Sequence, residues 1–176
     1  MIFNKTDIEG AWLIEPERFE DERGFFTRAF CPAEFEKQGI EFHPVQSNIS
    51  NNKKALTLRG MHYHASPFEE TKLVRCTSGK IFDVVVDLRP HSGTYKQWAG
   101  FELSRGNGNA LFIPPGCAHG FLTLEEETDI FYQMGPAFVP GYDRGFRWDD
   151  PVFEIAWPDE PKIVSKKDRQ LPFWAD

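Results

Sequence analysis

Arg59–Val74 reads RGMHYHASPFEETKLV and sets two histidines one residue apart, then an acidic pair and a lysine, within a β-strand pattern. Alternate side chains of a strand share a face, so His62 and His64 point one way and Tyr63 the other. Two imidazoles on one face suit either a metal site or proton transfer without a metal. Further short β-type runs surround this stretch between Gly, Pro, Asn and Asp signals. They are AWLIEP (11–16), GFFTRAF (24–30), FHPVQSNIS (42–50), ALTLRGMHYH (55–64), TKLVRCTSG (71–79), KIFDVVVDLRP (80–90), YKQWAGFELS (95–104), NALFIPPG (109–116), HGFLTLEEE (119–127) and TDIFYQMG (128–135). Evenly spaced short strands predict an antiparallel sandwich or barrel. Helix signals are confined to PAEFEKQG (32–39), with Pro32 at its start and Gly39 at its end, and to the charged SKKDRQ (165–170).

A chain of 176 residues supports one sizeable core, so residues 1–176 are expected to form a single domain. The formal net charge of -7, with basic residues interspersed among acids, argues against nucleic acid or an anionic membrane as partner. No stretch approaches the roughly 20 apolar residues of a membrane span, and MIFNKTDIEG lacks the apolar run of a signal peptide. A cytoplasmic location is the expectation. Cys31, Cys76 and Cys117 are odd in number and show no C-x-x-C spacing, which fits reduced thiols. In KIFDVVVDL, Asp83, Val85 and Asp87 share one face and Phe82, Val84 and Val86 the other. Asp83 then either enters a polar interior beside histidines or lies in solvent on an edge strand.

His62-Tyr63-His64, Glu69 and Pro114-Pro115-Gly116-Cys117-Ala118-His119 resemble the H-x-H, E and P-x-G-x-x-H elements of the cupin superfamily. That resemblance implies a jelly roll, and in many members a metal site of three histidines and a carboxylate. A more extensive one rests on Asp21–Phe26 (DERGFF), Gln46-Ser47-Asn48, Leu58–Tyr63 (LRGMHY), Lys72–Arg75 (KLVR), Phe82–Arg89 (FDVVVDLR), Ile113–Gly116 (IPPG), Ala118–Phe121 (AHGF), Gly145–Pro151 (GFRWDDP) and Ser165–Asp168 (SKKD). In order along almost the whole chain, these blocks are similar to the dTDP-4-dehydrorhamnose 3,5-epimerase family, a metal-independent branch of the cupin jelly rolls. The resemblance implies a homodimer whose N-terminal strands extend the partner's sheet. It also implies action on nucleotide diphosphate 4-keto-6-deoxy sugars in deoxysugar and polysaccharide biosynthesis, without metal or other cofactor.

The chemistry explains the residue types. Inverting a carbon beside a ketone needs a base on one face, a stabiliser for the enolate oxygen and an acid on the other face. His62 suits the base and Lys72 the oxyanion. The resemblance further implies that Asp168 orients His62, that Tyr132 returns the proton, and that His119 shares the pocket, paired with Asp83. It assigns Arg23 and Arg59 to the diphosphate, whose oxygens match the guanidinium fork. It also assigns Phe26, Gln46, Asn48 and Asp143 to substrate contact. Epimerisation is expected at C3, with C5 left open by geometry that a sequence does not fix.

Two residues depart from the family pattern. His64 stands where H-Y-Q is common, which keeps open a metal-dependent cupin using His62, His64, Glu69 and His119. Arg28 stands where a glutamate is common; as a base-reading residue it would leave thymidine without unique preference. A non-catalytic sugar-nucleotide-binding cupin is the third reading, favoured only if the pocket lacks a working acid.

Overall fold

The computed structural model describes residues 1–175. Two antiparallel sheets face each other. In the first the strand order is β1 (Ile2–Lys5), β2 (Trp12–Glu15), β10 (Ala110–Ile113), β7 (Thr71–Ser78), β12 (Thr128–Gly135) and β5 (Gln46–Asn52). In the second it is β13 (Asp143–Gly145), β6 (Thr57–His64), β11 (Cys117–Thr123), β8 (Lys80–Asp87) and β9 (Trp98–Ser104), with β14 (Ile163–Val164) adding parallel to β6. The chain crosses repeatedly between sheets, as in a jelly roll. A hairpin of β3 (Phe19–Asp21) and β4 (Gly24–Phe26) pairs only with itself among the described strands.

Alternation along each strand divides the apolar residues among three packed layers. Ile81, Val85, Leu111, Ile113, Phe121 and Ile130 meet between the sheets. Leu73 and Phe112 turn outward from the first sheet against Phe35 of the short helix α1 (Pro32–Glu36) and Phe42. Val84 and Val86 turn outward from the second against Phe146, Phe153 and Trp174. Each fully buried side chain of this size contributes about 1.5–3 kcal/mol. The chain beyond β13 thus covers one outer sheet face, with β14 its only described strand.

Several sequence boundaries move for identifiable reasons. The run at 42–50 becomes strand only from Gln46, after Pro44, which has no backbone N–H to donate. The run at 24–30 pairs only through Phe26, then leaves the ladder toward α1. β1, β3, β13 and β14 were not expected, being two to four residues long and defined by their partners. SKKDRQ folds as α2 (Lys166–Arg169), whose N-cap Ser165 accepts from the backbone N–H of Asp168 at 3.0 Å. Cys76 and Cys117 are buried, and burial pushes their thiols up to about 11 and about 12, leaving no accessible thiolate there.

Candidate active site

At one end of the interior the apolar layer gives way to an open cavity of about 640 Å³, a size suited to a small ligand. Inward-facing positions of β5, β6, β7, β11 and β12 line it. Lys72 extends the row of Val74 and Cys76 on β7, and Tyr132 follows Ile130 on β12. Both therefore inherit the inward direction of core neighbours two residues away.

β6 breaks that parity. Residues 59 and 62 would face opposite ways on a regular strand, yet Arg59 and His62 both line the cavity. The ladder pairs His62 with His119 but Arg59 with Phe121, so β6 carries one extra residue between them. This bulge re-aims Arg59. Gly60 is required there: its φ is +136°, and an added Cβ would stand 2.6 Å from the Gly120 Cα.

His62 Nε2 lies 2.7 Å from Asp168 Oδ1. Burial alone would raise the Asp168 pKa, but hydrogen bonds from His62 and Ser165 outweigh it and hold the group below its ordinary value. An ionised Asp168 accepts from Nε2–H and leaves the Nδ1 lone pair free as base. His119 Nε2 similarly lies 2.5 Å from Asp83 Oδ1. Asp83 is fully buried on β8, between β11 and β9, which decides between the interior and edge readings of that strand. Tyr132 is pushed upward by burial first and by the Glu70 charge second, so its phenol stays protonated near neutral pH. Arg59 Nε donates to Asn52 Oδ1 at 2.8 Å, while Gln46 Nε2 donates to Asn48 Oδ1 at 3.1 Å. Asp143 lies at the rim, paired with Lys167 Nζ at 2.9 Å.

The acid beside Lys72 is Glu70, not Glu69. Glu70 Oε1 is 2.6 Å from Lys72 Nζ, and His64 Nδ1 approaches Oε2 at 3.0 Å without hydrogen-bond alignment. The metal set containing Glu69 is therefore corrected: among the described residues no three His, Cys, Asp or Glu side chains converge to hold a metal ion. Parity could have found Glu70, since it precedes Lys72 by two and shares its face. Lys167 on α2 and Arg144 on β13 also line the cavity; strand alternation marks neither, because α2 is a four-residue helix and β13 is three residues long.

Three expected contacts are not brought to the cavity within one chain. Arg23 is 85% exposed and pairs with Asp21. Phe26 is 70% exposed. Both belong to the β3–β4 hairpin, which joins neither main sheet. Arg28 instead donates to Glu34 Oε1 at 2.6 Å, at the start of α1, and does not line the cavity of its own chain.

Residues 5–176 match the family model described as dTDP-4-dehydrorhamnose 3,5-epimerase. The chain is 45% identical over 170 residues to the protein of that name from Methanothermobacter thermautotrophicus, covering 95% of this chain and 91% of the relative. It is 42% identical over 173 residues to that of Sinorhizobium fredii, covering 98% and 89% respectively. The solved enzyme of the same name from Bacillus anthracis, with TDP and PPi bound, superposes with a TM-score of 0.95 at 40% identity, covering 98% of this chain and 99% of that one.

Proposed function

The chain belongs to the dTDP-4-dehydrorhamnose 3,5-epimerase family, and from that premise we propose how its residues divide the work. It is an isomerase, an epimerase of a nucleotide-linked 4-keto-6-deoxyhexose, and its substrate is a dTDP-sugar. The observation that carries the proposed mechanism is the His62–Asp168 pair, facing a cavity that also holds Lys72 and Tyr132.

His62 Nδ1 takes the C3 proton, and the electron pair of that C–H bond moves into an enolate whose charge rests on the C4 oxygen. The ammonium of Lys72 stabilises that oxygen. Tyr132 then gives its phenolic proton to C3 from the other face. The imidazolium and phenolate reset by exchange with solvent, so each turnover imports a solvent hydrogen. C5 also flanks the ketone and takes the same three groups in a second round. Arg59 holds the diphosphate, Gln46, Asn48 and Asp143 contact substrate, and His119, braced by Asp83, completes the pocket.

Lys72 also argues against the metal-dependent reading, because its ammonium takes up the Glu70 carboxylate, the buried acid that a cation beside the histidines would need. Turnover of dTDP-4-keto-6-deoxyglucose should be unchanged after treatment with a chelator. Stoichiometric bound metal with chelator-sensitive activity would contradict this.

One cupin domain over residues 1–176 carries the chemistry, in the cytoplasm, where nucleotide sugars are made and free thiols persist. The working unit is a homodimer in which the β3–β4 hairpin reaches the partner's site with Arg23 and Phe26. Exposed Phe19, Phe25 and Phe26 on this hairpin support that reading, since such an apolar edge favours being covered. Sedimentation should show a dimer, and a fully active monomer would overturn it.

A further inference from the structure

Lys72 stands in a buried array whose arrangement goes beyond pairing one charge. Its side chain is 11% exposed, Glu70's is 7% and His64's is 4%. Glu70 Oε1 takes the ammonium at 2.6 Å, Oε2 abuts His64 Nδ1, and the His64 ring packs on Phe138 with centroids 5.1 Å apart. His64 Nε2 is buried without a hydrogen-bond partner among the described residues. The carboxylate is thus confined from both ends. A buried array of this kind is weak evidence for stability, because desolvating each charge opposes the attraction between them.

We infer that Glu70 is a positioning residue for the epimerisation, holding the Lys72 ammonium where the enolate oxygen develops, with His64 as the wall that fixes the carboxylate. The inference rests on the proposed oxyanion role of Lys72. A flexible lysine stem must be fixed for its charge to act without reorganisation. The groups that face Glu70 are His64 from β6, Lys72 from β7, His119 from β11 and Tyr132 from β12. Burial would raise the Glu70 pKa, but the Lys72 charge and hydrogen bond outweigh it and keep the carboxylate ionised. Removing the negative charge then leaves a buried ammonium without its partner, and such a group gives up its proton more readily.

The test compares wild type, Glu70→Gln and Glu70→Asp on dTDP-4-keto-6-deoxyglucose, with dTDP affinity measured alongside. Glu70→Gln should lower kcat about 10–100-fold and move the alkaline limb of the kcat profile down by about one pH unit, with KM and dTDP affinity within about twofold. Glu70→Asp keeps the charge but shortens the reach, so kcat should fall by about 3–10-fold with the alkaline limb in place. Wild-type kcat in Glu70→Gln, or a parallel loss of dTDP affinity, overturns the inference. If Glu70→Gln does not fold, Glu70→Asp decides, and wild-type kcat there overturns it. Failure of the wild-type protein to turn over this sugar would instead defeat the proposed function, so the two failures are distinct.

Discussion

His62→Ala should lower deuterium incorporation at the sugar C3 by about 10²–10⁴, while dTDP affinity stays within about twofold. The imidazole is the proposed proton acceptor, and its Nε2 is committed to Asp168 at 2.7 Å. Alanine leaves that carboxylate buried beside an empty space, with no group of suitable basicity in place of the ring. Binding of the nucleotide is expected to survive, because the proposed diphosphate contact is Arg59, aimed into the cavity by the β6 bulge. Exchange at the wild-type rate in His62→Ala would mean that another residue, with His119 the obvious candidate, removes the proton.

Lys72→Met should cost about 10²–10³ in kcat, equivalent to about 2.7–4 kcal/mol of barrier, with KM much less affected. Methionine fills a similar volume on β7 and keeps the apolar stem against the core, but it brings no charge to the enolate oxygen. The variant also leaves Glu70 buried without its ammonium, so a drop in thermal stability should accompany the loss of rate. The two effects separate by assay at a temperature where circular dichroism shows the variant folded. A folded Lys72→Met with near wild-type kcat would remove Lys72 from the mechanism.

The strands were legible where alternation runs long enough to declare itself. β6 to β12 each lie within or close to an expected run, because inward Val, Ile and Leu residues alternate with outward ones that pack on other layers. Elements such as β13, with the polar sequence Asp143-Arg144-Gly145, carry no such signal and exist because β6 offers them a ladder. The site was legible through motifs more than through periodicity. Strict alternation places Arg59 and His62 on opposite faces, and only the extra residue beside Gly60 brings them together. The cupin-like motif points to Glu69, whereas the two-residue step from Lys72 places Glu70 on the lysine's face. The standing of the β3–β4 hairpin apart from both sheets is not encoded in its own sequence pattern, since strand character alone does not say which sheet a strand joins.

The central claim, that this cavity inverts a carbon beside a ketone by proton transfer, is tested most directly in heavy water. Wild-type protein incubated with dTDP-4-keto-6-deoxyglucose should place deuterium at C3, located by NMR, with any label at C5 arriving alongside or after it. Label at C5 with none at C3, or unlabelled sugar after prolonged incubation, would contradict the account.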